Sequence, residues 1–183
     1  MTQTAQQEVS SDHETVEAGQ MFFATGGCTL GTFLVATGAG GVRAVLIGDD
    51  EESLERDLRR RFAGATCTRA AEALSGLTVK VANVLENPTL VLDEPLDLGG
   101  TAFERRVWIA LAEIPAGETA SYGEVARRLG APGAARAVAK ACAANALAVV
   151  IPCHRVVRSD GGISGYRWGV ERKRLLLARE RAA

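Results

Sequence analysis

The residues with the clearest chemical capacity are Pro152-Cys153-His154-Arg155, which cut short the apolar run Leu147-Ala148-Val149-Val150-Ile151. A cysteine attacks as the thiolate, and a neighbouring base or helix N-terminus makes that form available near neutral pH. His154 supplies a base in sequence, although adjacency along the chain does not establish contact. The run before it reads as a buried segment, so Cys153 sits on a turn leaving the core. The other cysteines, Cys28, Cys67 and Cys142, are widely spaced without a C-x-x-C pair, and His13 is the only other histidine. This spacing offers no zinc motif, and the first reading of each thiol is a small buried hydrophobe.

Charge is the second chemical feature. The whole chain of 183 residues has a net charge of −1, but residues 1–100 hold 7 Lys and Arg against 15 Asp and Glu, and residues 101–183 hold 14 against 7. A near-neutral total conceals a basic second half of the kind that faces a polyanion, although solvated helix faces alone give the same count. In that half Arg136 is a lone long cation near the start of the small-residue stretch Ala134 to Ala144. Such helices usually serve close packing; here the small side chains also leave the arginine room to reach a partner.

These residues need a scaffold. Residues 1–18 are polar without apolar periodicity and read as a flexible tail. Met21–Ala24, a Gly26-Gly27 turn, Thr29–Ala36 and Val42–Ile47 predict an antiparallel sheet. Asp50-Glu51-Glu52 opens a helix whose Leu54, Leu58 and Phe62 form one stripe, and a second helix is predicted from about Arg69 to Leu85. Pro88 and Pro95 frame an extended segment, and Gly99-Gly100 marks the boundary between an N-terminal α/β domain (19–98) and a second domain (99–183). Beyond it, Phe103, Val107, Ala110, Leu111 and Ile114 make a helical face. Ser121-Tyr122-Gly123-Glu124 is a capping box, and after the Gly130–Gly133 break the Ala-rich helix completes the outline of a helix-turn-helix. Gly161-Gly162 suggests a hairpin, and Val170–Arg181 a final basic helix. No apolar stretch nears the roughly 20 residues that cross a bilayer, and Met1–Gln20 lacks a secretory pattern, so a cytoplasmic protein is expected.

Ile151-Pro152-Cys153-His154-Arg155-Val156-Val157 matches the PCHRV signature of the O6-alkylguanine-DNA alkyltransferases, also called methylated-DNA-protein-cysteine methyltransferases. The sequence resembles that family further at Thr101-Ala102-Phe103, Ser121–Ala126, Arg136-Ala137-Val138 and Ser164-Gly165-Tyr166-Arg167-Trp168-Gly169, over about residues 96–180. It looks closest to members that carry the alkyltransferase behind a metal-bound phosphotriester domain, a domain with no matching residues here. The implied fold is α/β: a ribonuclease-H-like N-terminal sheet-and-helix domain, then a mainly helical domain with a helix-turn-helix.

By the same resemblance, Cys153 is the alkyl acceptor, His154 its base through a bridging water, and Glu180 the carboxylate that orients the histidine. Tyr122 assists departure of guanine and rotation of its phosphate. Arg136 enters the minor groove and fills the place of the flipped nucleotide, with Ala134 and Ala135 beside it on the DNA-binding helix. Asn145 ties that helix to the active-site turn, and Val156, Ser159, Tyr166, Arg167 and Trp168 line the base pocket or its rim. Many relatives carry prolines at the positions of Ala146 and Ala148. The implied partner is alkylated double-stranded DNA, met by a monomer without cofactor, metal or membrane. Cys153 itself argues against a non-reactive lesion sensor, which lacks that cysteine. The length argues against an added regulatory domain, and no oxyanion site for a multi-turnover cysteine hydrolase is identifiable.

Overall fold

Runs of β-formers from Gln20 to Gly48 build a meander in the computed structural model, which describes residues 19–163 and 165–182. The tail at 1–18, with His13, and Ser164 of the Ser164–Gly169 motif lie outside the described residues. Strands β1 (Gln20–Cys28), β2 (Gly31–Gly38) and β3 (Gly41–Gly48) pair antiparallel in sequence order. The expected turn at Gly26-Gly27 is instead the interior of β1, paired with Phe33 and Thr32. A Cβ on Gly26 would stand 2.6 Å from Cζ of Phe33, so this glycine makes room for a core ring and the turn falls at Thr29-Leu30. The sheet is also mixed rather than purely antiparallel. β4 (Thr66–Arg69) adds parallel to β1, giving the order β3-β2-β1-β4.

Helix α1 (Glu51–Arg61) starts where Asp50 accepts the Ser53 amide at 2.8 Å. Its Leu54 and Leu58 bury against one face of the sheet with Phe23, Leu34 and Leu46. Helix α2 (Ser75–Glu86) covers the other face through Val81, Val84 and Leu85, beginning later than expected because Arg69 belongs to β4 and pairs with Glu51 and Glu55 of α1. Alternation along β2 and β3 thus serves two faces at once.

Beyond Gly99-Gly100, α3 (Ala102–Ala112) and α4 (Tyr122–Arg128) both open with capping boxes, Thr101/Glu104 and Ser121/Glu124. α5 (Ala135–Ala144) follows the turn at 129–134, and α6 (Val170–Ala182) closes the fold. Between them lie a short 3-10 turn, Cys153–Arg155, and a parallel pair β5 (Ala120–Ser121) with β6 (Val156–Val157). Gly161-Gly162 does close a tight turn, with the Arg158 amide donating to the Gly162 carbonyl at 2.9 Å, but no strand returns from it among the described residues. The hairpin expectation fails because β6 finds its partner in β5.

Two features hold the halves together. One apolar cluster runs from Phe33 and Val45 through Leu111 and Val138 to Leu176. The outer edge of β3 is also occupied: the Val45 amide donates to the Ala146 carbonyl (2.8 Å), and the Ala148 amide returns a bond to the Val45 carbonyl (2.9 Å). An edge strand left bare presents unpaired donors and acceptors; here the approach to Cys153 satisfies them. No helix among the described residues is long and apolar enough to cross a membrane.

Candidate active site

Cys153 follows two tight constraints. Val149 holds a left-handed backbone (φ 67°), unusual for a β-branched side chain and costly by about 1–2 kcal/mol, and the turn around it brings the Ile151 amide to the Leu147 carbonyl at 3.0 Å. Asn145, at the C-terminal end of α5, then clamps that turn. Its Oδ1 accepts the Leu147 amide at 2.8 Å, and its Nδ2 donates to the Ile151 carbonyl (3.0 Å) and to Cys153 Sγ (3.3 Å). α5 is itself fixed to α3 by Trp108, whose indole donates to the Ala141 carbonyl at 2.8 Å.

The thiol is 4% exposed. Burial pushes it up from about 9 to about 11, against the Asn145 hydrogen bond and the charge of Lys173, which pull it down. Lys173 is fully buried, donates to the Val156 carbonyl at 2.5 Å and has its own pKa lowered by that burial. Beside the cysteine, His154 Nε2 stands 2.7 Å from Glu180 Oε1. Burial raises the Glu180 carboxyl, but hydrogen bonds and charge from His154 and Arg155 outweigh it and bring it down to about 2. Burial lowers His154, against Glu180, so the imidazole is neutral at neutral pH. An ionised Glu180 only accepts; the imidazole proton therefore resides on Nε2 and Nδ1 carries a free lone pair. Nδ1 is buried without a hydrogen-bond partner among the described residues. The arrangement is a buried thiol next to an oriented neutral base.

Arg155 braces the set from behind, with Nε 3.1 Å from both Glu180 oxygens and its terminal nitrogens on the carbonyls of Ile114 (2.6 Å) and Pro88 (3.0 Å). Above Cys153 opens a cavity of about 370 Å³ lined by Tyr122, Ala139, Cys142, Ala143, Gly165, Tyr166 and Arg167. That size falls in the range of small-molecule sites, about 300–1,000 Å³. A somewhat larger hollow, about 430 Å³, lies at the end of the sheet around Arg43, Phe62 and Asp97, remote from these groups and without a nucleophile on its wall.

Of the residues singled out in the sequence, Cys153, Tyr122, Tyr166 and Arg167 meet at the cavity, Asn145 touches the thiol, and Glu180 meets His154, the next residue in the chain. Trp168 does not line the cavity: it is buried behind Tyr166, ring centroids 5.2 Å apart, with its indole nitrogen buried and unpartnered among the described residues. Val156 is fully buried in β6, and Ser159 is exposed on the turn that follows. Arg136 is exposed with no ion pair or hydrogen bond among the described residues, beside the partly exposed Ala134 and Ala135. Sequence reading assigned no role to Arg155, Lys173 or Cys142. For Cys142 the signal was available, since Ala139, Cys142 and Ala143 share one helix face. Burial also raises its thiol, to about 12.

Residues 102–182 match the family model "6-O-methylguanine DNA methyltransferase, DNA binding domain". The chain is 49% identical over 158 residues to the bifunctional transcriptional activator/DNA repair enzyme Ada of Escherichia coli, which covers 86% of this chain but 45% of that protein. It is 37% identical to the inducible methylated-DNA–protein-cysteine methyltransferase of Bacillus subtilis, over 76% of this chain and 79% of that one. The chain thus spans less than half of Ada and most of the Bacillus protein. Among solved structures, Mycobacterium tuberculosis OGT in complex with DNA superposes with a TM-score of 0.72 at 36% identity, over 89% of this chain and 93% of that one. The mixed α/β fold is common to both.

Proposed function

The chain belongs to the methylated-DNA–protein-cysteine methyltransferase family, and from that premise we propose that it repairs DNA directly, moving a methyl or other small alkyl group from O6 of guanine to Cys153 in a single turnover. One observation carries the reading: Cys153 opens onto a base-sized cavity while the residue beside it, His154, is neutral and oriented by an ionised Glu180.

In this mechanism Nδ1 of His154 draws the thiol proton, directly or through water, as Sγ attacks the alkyl carbon. The S–C bond forms, the C–O6 bond breaks, and the proton given up by sulfur ends on guanine. Guanine is a poor leaving group without a hydrogen bond or proton, and this reading gives that task to Tyr122, which lines the cavity. The base must leave the helix to enter the cavity, at a cost of a few kcal/mol. The product is a thioether, which lacks a carbonyl for water to attack, so the protein is consumed.

The site roles expected for Arg136, Ala134, Ala135 and Ser159 on DNA, and for Asn145, Val156, Tyr166, Arg167 and Trp168 around the base, belong to this proposal. So do the division at 98/99, a ribonuclease-H-like first domain, the reading of α4, turn and α5 as a helix-turn-helix, alkylated duplex DNA as partner of a monomer, and a cytoplasmic location. Arg136, exposed near the start of α5 and unpaired among the described residues, supports the DNA-facing role.

Intact-mass measurement after incubation with duplex DNA containing O6-methylguanine tests the reading, with peptide mapping to separate Cys153 from Cys142 in the same cavity. One methyl per protein on Cys153 is expected. An unmodified protein, or methyl on Cys142, would overturn it.

A further inference from the structure

Helix α1 lies in the acidic half, outside every motif that marks the site, yet Asp57 on it is linked to both sides of the cavity, directly to Arg167 and through Arg61 to the end of α5. Its two oxygens each lie 3.2 Å from Arg167 Nη2, on the loop that forms one wall. Asp57 Oδ2 also accepts from Arg61 Nε at 3.2 Å, and Arg61 Nη1 donates to the carbonyl of Ala144 at 3.4 Å. Ala144 is the last residue of α5, whose Ala139, Cys142 and Ala143 form the opposite wall. The final carbonyls of a helix lack intrahelical donors and carry the negative end of its dipole, so a guanidinium there is favourable. α1 is held independently by Leu54 and Leu58 against the sheet.

We propose that Asp57 is a positioning residue that sets the separation of the two cavity walls through Arg167 on one side and Arg61 on the other. The inference rests on the reading of that cavity as the site of the flipped base. It gives the acidic half a task in the reaction: a carboxylate on a helix fixed to the sheet becomes the common reference for α5 and the 165–168 loop. It also accounts for the charge of Arg167, which is neutralised from the N-terminal half.

Single-turnover rates of methyl transfer, measured against protein concentration on duplex O6-methylguanine DNA, test this with Asp57→Asn, Asp57→Glu and Glu86→Gln. Glu86 also links the two halves, through Arg179, away from the cavity. Misplacing reacting groups by about 1 Å can cost on the order of a hundredfold in rate. Partial loosening in Asp57→Asn should lower the limiting rate about tenfold with little change in half-saturation by DNA. Asp57→Glu, which keeps the charge, should recover part of the loss, and Glu86→Gln should match the wild type. Equal rates for Asp57→Asn and wild type would overturn the proposal, as would an equal loss in Glu86→Gln, which would mean general loosening between halves. Melting curves identify any variant that fails to fold; in that event Arg167→Lys, which keeps the charge on the loop, provides the same comparison. A wild type that transfers no methyl would refute the functional reading itself, a result distinct from any of these.

Discussion

Nε2 of His154 and Oε1 of Glu180 meet at 2.7 Å with both side chains closed to solvent, and the pair makes the protein acid-sensitive in two steps. His154 is lowered in the fold, chiefly by burial, so the unfolded chain binds its proton first and stability falls as pH drops below about 6.5. Glu180 is lowered from 4.5 to about 2 despite its burial, so its contribution is present above about 4.5 and lost on the way to pH 2. The opposite edge comes from thiols. Cys153 and Cys142 are raised to about 11 and about 12 by burial, so stability declines as pH rises above 9. Thermal unfolding from pH 3 to 11 should give a plateau between roughly 6.5 and 9. In Glu180→Gln the step below 4.5 should shrink, Asp50, Glu51, Glu86 and Glu124 keeping the rest, and the plateau should drop by about 3–5 kcal/mol, because Arg155 is left buried without its counter-charge. An unchanged acid step would assign it to those other carboxylates.

Cys153→Ala should end alkyl transfer while leaving lesion binding intact, because Arg136, Tyr122 and the basic helices are untouched. Gel-shift affinity and protein mass are read separately. Methyl found on the variant protein would reject Cys153 as acceptor.

Arg136→Ala should unfold like the wild type, within about 0.5 kcal/mol, since the side chain is exposed and has no partner among the described residues. Repair in duplex DNA should nevertheless slow by on the order of tenfold, through loss of part of the few kcal/mol needed to hold the base out. Reaction with free O6-methylguanine should barely change, and equal losses on both substrates would remove the arginine from base extrusion.

Trp168→Gly should raise the rate with O6-benzylguanine relative to O6-methylguanine. Trp168 stands behind Tyr166, with rings 5.2 Å apart at 71°, so its removal lets the tyrosine wall fall back. The variant should lose about 3–5 kcal/mol of stability, the usual cost of emptying a buried aromatic site. An unchanged benzyl-to-methyl ratio in a folded variant would show that Tyr166 does not need that support.

Ala148→Pro tests the junction with β3. The Ala148 amide donates to Val45 at 2.9 Å, and proline has no such donor, so a loss of about 1–3 kcal/mol is expected in denaturant unfolding. Unaltered stability would mean the strand edge is satisfied in another way.

How far the sequence foretold this depended on whether the deciding partner was near in the chain. Ser121 with Glu124, and Asp50 at the start of α1, are local caps, and both were readable from spacing. β4 was not, because Thr66-Cys67-Thr68-Arg69 is short and polar on one face, and only pairing with the remote β1 makes it a strand. Gly26 was misread as a turn for the same reason, its neighbour being Phe33 across the sheet. Cys153, His154 and Glu180 were found through a motif and a resemblance; what periodicity could not reveal was Arg155 behind Glu180, Lys173 beneath Val156, or Asp57 reaching over from α1. Each of these is defined by a contact with a separate element.

The stretch from Asn145 to Cys153 works as a ruler. Its near end is pinned to Val45, its far end to the Asn145 amide at Cys153 Sγ, and the left-handed Val149 takes up the slack between them. A residue added or removed there could not be absorbed by looping out, since both ends are read by hydrogen bonds of fixed reach. The length between these two pinned ends is therefore fixed.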